Sequence, residues 1–594
     1  MPSYKAPLRD YRFILNEVLN VQNYANLAGF ADATPDTIDA ILDGAAQLAE
    51  EVLQPLNLSG DQEGCTRHPD GSVTTPKGFK DAYKLFTDGG WGALTSDPDF
   101  GGQGMPAVLG SCFSEIVSAA NMAFVMYPGL SHGAYSAIHV HGTDEQRQTY
   151  LPKIVEGVWT GTMNLTEPNC GTDLGLMRTR AEPQADGSYK ISGTKIFISA
   201  GEHDMSENII HLVLAKISGP DTPAGIKGVS LFIVPKFMVE KDGSLGARNG
   251  VSCGSIEHKM GIHGNATCVL NYDGATGFLI GEAHKGMRAM FTMMNEARLG
   301  VAIQGLSQSE VAYQNAVNYA KDRLQGRSLT GPKFPEKPAD PIIVHPDIRR
   351  VLMNIKAFNE GARALMLWTS LHGDLAHKSD DAKARELGED VMGILTPVLK
   401  GYLTDKGYAN ATDAQQVYGG HGYIAEWGAE QFVRDARIAM IYEGANGIQA
   451  LDLVGRKLAS NGGRAIFAWF KIVDDAIAAG GDETVKPFID GLTTVRKQLE
   501  EATTWLMNNG LSNPDNAGAG SMDYLYLFGL CGLAFSWTEM AKVAAAKAGA
   551  DAFYANKLTT GRYFIERMLP DAAAHLAKLK TGAAPLMALD MEAF

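Results

Sequence analysis

The sequence predicts a mainly α-helical protein with a central β-domain. The expected order is an N-terminal helical domain, a β-barrel-like middle domain, a helical bundle and an extra C-terminal helical region. Three observations predict this. Apolar residues recur at helical spacing up to about residue 160 and again from residue 286. Between them, short runs alternate apolar and polar residues between turn signals. A chain of 594 residues also exceeds what one core serves, so several domains are expected. The expected boundaries are 1–160, 161–282, 283–460 and 461–594.

The first helix signal is "TPDTIDAILDGAAQLAEEVLQPL" (34–56), where Thr34 precedes Pro35 and Asp36 as a start. "GTDEQRQTYLPKIVEG" (142–157) reads as a short helix between glycines. The texture then changes near Thr162. "SYKISGTKIFISAG" (188–201) and "GVSLFIVPKF" (228–237) are strand-like, and Asp186-Gly187 is a hairpin-turn signal. The helical period returns in "GMRAMFTMMNEARLGVAIQGLSQSEVAYQNAVNYAKDRL" (286–324). Five prolines in 331–346 read as a surface loop. After 460–465 further helix is expected to the end, interrupted by a soft loop at "NNGLSNPDNAGAGS" (508–521).

The formal net charge is -15, which weighs against a general nucleic-acid binder. No run of about 18 apolar residues suggests a membrane span. The six cysteines (65, 112, 170, 253, 268 and 531) contain no CxxC and fit a reducing, cytoplasmic setting. No cationic leader with an apolar core is seen at the N-terminus.

Several segments invite chemistry. "GVSCG" (250–254) matches G-x-S-x-G with Ser252 as nucleophile, but a helix does not follow, so a Gly-rich β-turn is expected. His132, His139 and His141 cluster without an acid or cysteine at ligand spacing and read as structural. "GGQG" (101–104) and "YGGHG" (418–422) match neither dinucleotide fingerprint nor P-loop; they read as turns, or as places where backbone approaches a cofactor. "MNLTEPNCGTDLG" (163–175) offers Thr166, Thr172 and backbone donors to a polar heteroaromatic group, or is an interdomain linker. In "IYEGANGIQ" the single acid Glu443 precedes a permissive turn. It reads equally as a charge before a helix start, with Asn446 as cap and Gln449 as its reciprocal partner.

Together and in order, these motifs resemble the acyl-CoA dehydrogenase family. "NLTEPNCGTD" is similar to its T-E-P-x-x-G-[ST]-D loop, and "GTKIFISAG" to its G-x-K-x-[WF]-I-[TS] strand. "QVYGGHGY" and "VRDARIAMIYEGANGIQ" are similar to its Q-x-x-G-G-x-G-[YF] and R-D-x-[KR]-x-x-x-I-Y-E-G-x-x-x-I-Q segments, and "GTDEQRQTYLPKI" to the helix before its β-domain. The match covers about residues 40–455. The length and added C-terminal region resemble its long bacterial members, among which those acting on 3-(methylthio)propanoyl-CoA begin and end similarly.

The resemblance implies bound FAD and α,β-dehydrogenation of an acyl-CoA substrate. It implies that Glu443 removes the α-proton while flavin N5 takes the β-hydride. It also implies that the base's own N–H and a ribityl hydroxyl bond the thioester carbonyl. A nearby helix start would lower the pKa of Glu443 and burial beside Ile441 and Tyr442 would raise it; burial is expected to win under a bound acyl chain. For the flavin the resemblance points to Met163, Leu165, Thr166, Gly171, Thr172, Phe197 and Ser199, with Ala445 and Asn446 after the base. Arg323, Gln416, Gly419 and Gly420 fall on its pyrophosphate and adenine side, typically across a subunit boundary. Arg298 and Gly444 match positions near substrate. A homodimer or dimer of dimers and an electron-transfer flavoprotein as acceptor follow from the same resemblance.

There are departures. Ala445 stands where the family often has Thr, Gln325 replaces a common Thr, and no aromatic follows Arg323 as it usually does. Pro346 stands where a flavin-contacting Gln is frequent. Two rival readings remain: an acyl-CoA oxidase reducing O2, and a DNA-associated flavoprotein of the alkylation-response type.

Overall fold

The run "NIIHLVLAKI" is apolar almost without interruption, as a strand buried on both faces must be. In the computed structural model, which describes residues 2–510 and 512–594, it is the central strand of a β-domain. The elements that position the functional residues are, in chain order, α1 (Leu8–Phe13), α2 (Ala107–Ala120), α3 (Met122–His141) and α4 (Asp144–Glu156). Strands β1 (Trp159–Asn164), β2 (Arg180–Pro183), β3 (Tyr189–Ser199) and β4 (Asn208–Ile217) follow. Then come β5 (Val229–Pro235), β6 (Val251–Ile256) and β7 (Thr267–Ile280). The later helices are α5 (Gly286–Asp322), α6 (Pro346–Lys378), α7 (Ala382–Val417), α8 (Asn446–Asp452), α9 (Pro514–Lys547), α10 (Ala552–Tyr563) and α11 (Asp571–Leu579).

The chain divides into two compact units. One comprises Gln47–Met105 and Ala120–Gly300. Its seven-stranded sheet closes on itself: β7 pairs with β3, β3 with β2, β2 with β4, β4 with β5, and β5 back with β7. β6 adds beside β7, and β1 runs parallel to β4. On β4 and β5 alternate residues face opposite ways. Ile210, Leu212, Leu214, Leu231 and Ile233 pack in one core with Ala134 and Ile138 of α3, while Val213, Phe232 and Val234 pack in the other with Ile191, Ile198 and Leu270. The predicted Asp-Gly turn joins β2 to β3, with Gly187 at φ +86°. Thr143 and Gln146 form a capping box at the start of α4.

The other unit comprises Met1–Ala46, Pro106–Ala119 and Val301–Phe594. Its long helices approach closely through glycines. A Cβ on Gly407 of α7 would lie 2.2 Å from the carbonyl oxygen of Gly305 on α5. One on Gly401 would lie 2.7 Å from Leu525 Cδ1 of α9, and one on Gly361 of α6 2.6 Å from Trp537 Nε1 of α9. Trp537 Nε1 donates to the carbonyl of Ala357 at 3.1 Å. At the centre Arg363 is fully buried, bonded to Asp10 Oδ2 at 2.6 Å, Glu115 Oε1 at 2.7 Å and Glu310 Oε2 at 3.0 Å. Burial pushes the Glu115 carboxyl up. Burial also opposes ionisation of Asp10, but Lys557 and Arg363 outweigh it and hold that carboxyl below its usual range.

Two expectations are corrected. The soft loop at 508–521 is mostly helix: α9 begins at Pro514, capped by Asn513 Oδ1 on the Asp515 N–H at 3.1 Å, and only Leu511 of that stretch lies outside the described residues. Ser252 lies within strand β6, opposite Asn271, neither on a nucleophile elbow nor in a turn. The proline-rich segment is a loop gathered around buried Asp340, which accepts from the N–H groups of Ser328 at 2.9 Å and Phe334 at 2.8 Å.

Candidate functional site

The predicted residues fall into sets, each described within its own unit. In the β-domain, Met163 is the penultimate residue of β1, and Leu165 and Thr166 follow the strand. Lys195 of β3 donates to the carbonyl of Leu165 at 3.0 Å, and the N–H of Ile196 to that of Thr166 at 2.9 Å. The loop is thereby tied to the strand that carries Phe197 and Ser199. Glu167, unremarked in the sequence, organises the rest. It pairs with fully buried Lys195 at 2.9 Å and accepts from the N–H groups of Arg178 at 2.7 Å and Thr179 at 3.0 Å. Burial opposes its charge, but Lys195 and these donors win and hold its carboxyl below the ordinary range.

Phe197 stands at φ +60°, where a large side chain is strained, and it is 58% exposed. The β3–β7 register shifts there. An exposed aromatic ring thus stands on a strained backbone, a conformation that persists only where the surrounding fold holds it. Gly171 and Thr172 lie exposed at the loop tip; where a Cβ on Gly171 would stand there is open space. Arg298, on α5, is buried with its guanidinium 5.8 Å from the centre of the Phe291 ring.

In the other unit, Glu443 is half-buried at φ +55° and Gly444 follows at φ +84°. Two consecutive left-handed residues turn the chain sharply after Ile438–Met440, a single tight turn of helix. The carbonyl of Glu443 accepts from Gln449 Nε2 at 2.9 Å. The carbonyl of Gly444 accepts from Lys400 Nζ at 2.8 Å, and Lys400 is fully buried on α7. The expected Asn446 cap is not formed: Ala445 is the N-cap, without a side-chain bond. Instead Asn446 is buried toward α7, accepting from Lys400 at 2.8 Å and donating to Asp405 Oδ1 at 2.6 Å and Thr404 Oγ1 at 2.9 Å. Those groups compete for the amide and win it from the helix start. Tyr442 bonds Gln304 through its hydroxyl; burial, then the charge of Glu443, pushes its pKa well up. Ile441 is 50% exposed, so the apolar wall expected beside the acid is open on that side.

Arg323, Gln416, Gly419 and Gly420 are all exposed. Arg323 lines a cavity of about 420 Å³ with Tyr319, Tyr418, His421 and Trp427; Glu443 does not line it. Tyr319 stacks on Tyr418 at 4.3 Å and His421 on Trp427 at 4.3 Å. The aromatic rings beside Arg323 thus come from Tyr319, one helical turn before it, and from Tyr418, His421 and Trp427. Where a Cβ would stand on Gly419 and Gly420 there is open space.

The histidines do not converge on one centre. His139 meets Asp97 at 2.9 Å and His132 Nε2 lies 3.8 Å from Glu296 Oε2, both acids distant in sequence; the two rings stack on Tyr135, and His141 meets Thr292 Oγ1 at 2.8 Å. Among the described residues no group of three His, Cys, Asp or Glu is arranged to hold a metal, and no helix is long and apolar enough to cross a membrane.

Four family models match the chain in succession. They are the acyl-CoA dehydrogenase N-terminal domain (35–158), middle domain (162–275) and C-terminal domain (284–458), and an acetyl-CoA dehydrogenase C-terminal-like domain (469–590). The chain is 40% identical over 585 residues to 3-methylmercaptopropionyl-CoA dehydrogenase of Ruegeria pomeroyi, covering 97% of this chain and 98% of that one. It is 35% identical over 620 residues to the broad-specificity linear acyl-CoA dehydrogenase FadE5 of Mycobacterium tuberculosis, covering both fully. Its fold matches an acyl-CoA dehydrogenase complexed with FAD from Bacillus anthracis with a TM-score of 0.73 at 21% identity, over 92% of this chain and 88% of that one.

Proposed function

The chain belongs to the acyl-CoA dehydrogenase family, and on that premise we propose that it binds FAD and converts a short or medium acyl-CoA to the trans-2-enoyl-CoA. The proposed substrate is 3-(methylthio)propanoyl-CoA, which the name of the Ruegeria relative supports. The relatives compared over the full length are named dehydrogenases, which favours this reading over an oxidase or a DNA-associated flavoprotein.

The observation that carries the reading is the turn at Glu443. A half-buried carboxylate stands on a left-handed residue whose carbonyl and whose neighbour's carbonyl are both pinned. Glu443 is the base that takes the α-proton. A thioester α-proton is weakly acidic, so charge growing on the carbonyl oxygen must meet donors already in place. We assign the Glu443 main-chain N–H as one of them. FAD, when bound, supplies the acceptor for the β-hydride. A bound acyl chain covers the open side at Ile441 and excludes water from the carboxylate.

The flavin ring falls to Met163, Leu165, Thr166, Gly171, Thr172, Phe197 and Ser199, with Ala445 and the main chain of Asn446. The fit rests on the outward ring of Phe197 and the open space at Gly171, Gly419 and Gly420. Arg323, Gln416, Gly419 and Gly420 serve the pyrophosphate and adenine side of a second copy's cofactor, which makes the enzyme a homodimer or a dimer of dimers. Arg298 and Gly444 stand on the substrate side. Electrons leave to an electron-transfer flavoprotein, and the six free cysteines suit a reducing cytoplasm.

The test is anaerobic titration of the purified holoenzyme with a panel of acyl-CoAs that includes 3-(methylthio)propanoyl-CoA. Bleaching of the flavin absorbance by one or more of them is expected, with slow peroxide formation in air. No bleaching by any of them sinks the reading.

A further inference from the structure

The region 461–594 reaches the base turn through a short series of polar contacts within one unit. Helix α9 seats on α7 where Gly401 admits Leu525 and where a Cβ on Gly529 would lie 2.4 Å from the Tyr402 ring. Between these contacts stands Tyr526, half-buried, its ring stacked 5.1 Å from His575 of α11 at an interplanar angle of 9°. Its hydroxyl donates to Asp405 Oδ2 at 2.7 Å, and Asp405 Oδ1 accepts from Asn446 Nδ2 at 2.6 Å. Asn446 Oδ1 and the Gly444 carbonyl both accept from Lys400 Nζ at 2.8 Å.

This order leaves little freedom. The Asn446 amide has one orientation that gives its nitrogen to Asp405 and its oxygen to Lys400. The Asp405 carboxylate is fixed at both oxygens. Burial, then Asp405 itself, pushes the Tyr526 phenol well above its ordinary pKa, so it stays a donor at any working pH. The turn it steadies contains Glu443 at a strained φ of +55°.

We propose that the extra C-terminal region supports the catalytic turn, with Tyr526 a positioning residue that acts through Asp405, Asn446 and Lys400 on the main chain of Gly444, directly after Glu443. This rests on Glu443 being the base. The competing role is an ordinary hydrogen bond between packed helices, which would move stability alone.

The experiment compares full-length holoenzyme with Y526F and with Y563F. Tyr563, in the same region, bonds Asn354 Oδ1 at 2.8 Å and the Arg350 carbonyl at 3.2 Å, both on α6, so it reports the loss of one hydroxyl. In Y526F the flavin content and spectrum should stay as in wild type. The rate of flavin bleaching at saturating acyl-CoA should fall about 10-fold, with the half-saturating concentration changed by less than about 2-fold. Y563F should bleach as wild type does. Hydrogen exchange of the amides at 443–449 should be faster in Y526F only. A wild-type bleaching rate in Y526F overturns the proposal, as does an equal loss in Y563F. If none of the acyl-CoAs bleaches the wild-type flavin, the dehydrogenase reading fails on its own. Exchange at 443–449 then decides the link: faster in Y526F alone upholds it, unchanged overturns it.

Discussion

Gln449 Nε2 donates to the main-chain carbonyl of Glu443 at 2.9 Å, so the helix that follows the acid holds the acid's own backbone. Glu443 would otherwise relax from φ +55°, a conformation costing ~1–3 kcal/mol for a residue with a Cβ. Gln449 and Lys400 grip consecutive carbonyls, and the two flanking peptide planes are set before any substrate arrives. The strain is held by the fold rather than by the ligand.

Glu443→Gln keeps the shape of the side chain and its turn but removes the proposed base. FAD should stay bound, and anaerobic bleaching by acyl-CoA should slow by at least ~10²–10⁴-fold, the usual contribution of a positioned general base. Stopped-flow absorbance of the loaded variant measures this. Bleaching within a few-fold of wild type would remove Glu443 from the role.

What was legible in the sequence was local. The short helix at 142–157 and the Asp186-Gly187 hairpin rest on signals within a few residues, and each formed as read. The β-domain was legible because strand period and burial agree along β5. What was missed depends on partners far away in the chain. Asn446 looks like a cap until Lys400 and Asp405, on another helix, are brought against it. Glu167 and Lys195 lie 28 positions apart, and nothing in either motif marks them as a buried pair. The stretch 508–521 has loop composition, yet Gly520 is where α9 meets Leu579, whose Cγ would lie 3.0 Å from a Cβ there. Its small residues answer to packing rather than to a turn.

The buried Arg363 has three carboxylates on it, from Asp10, Glu115 and Glu310. Arg363→Met leaves them facing one another without their common cation. Removing one partner from a buried ion cluster costs ~3–5 kcal/mol, far above the ~0–1 kcal/mol of a surface pair. Urea unfolding should show a loss of that order. A loss below ~1 kcal/mol would mean that Lys557, which pairs with Asp10, already neutralises the cluster.

His203 and His211 are buried neutral in the β-domain. Burial first, then nearby Lys236, holds both down at about 3. The His203 Nδ1 accepts the Met205 N–H at 3.2 Å, so protonation there would break a bond as well as bury charge, and His211 Nδ1 meets Thr162 Oγ1 at 2.7 Å. The sign follows. Below about 6.5 the unfolded chain takes up protons that the folded one refuses until about pH 3. The stability these residues contribute is therefore complete above 6.5 and is lost as pH falls toward 3. Between pH 6.5 and 5 the loss is about 2 kcal/mol per histidine. His211→Asn places an amide oxygen near Nδ1 and does not titrate. Its urea midpoint should fall less than that of wild type over this range, and parallel midpoints would refute the assignment.

The crossing of α5 and α7 is set by two glycines. On Gly407→Ala the new Cβ meets backbone, 2.2 Å from the Gly305 carbonyl oxygen and 2.9 Å from its Cα, so no side chain can rotate out of its way. The helices must part. Overpacking of this kind costs ~1–3 kcal/mol, and more where only backbone can move. Gly393, on the same helix α7, has nothing within 4 Å of its would-be Cβ. Gly393→Ala should therefore gain up to ~1 kcal/mol from helix propensity alone. Thermal melting of the two variants side by side separates crowding from propensity, because both make the same chemical change on one helix. Since Lys400 lies two turns before Gly407, parting α5 from α7 should also loosen its hold on the Gly444 carbonyl. Gly407→Ala should then bleach its flavin more slowly per bound FAD, while Gly393→Ala should not. Equal melting temperatures and equal bleaching rates in the two variants would show that the close crossing constrains neither the bundle nor the turn.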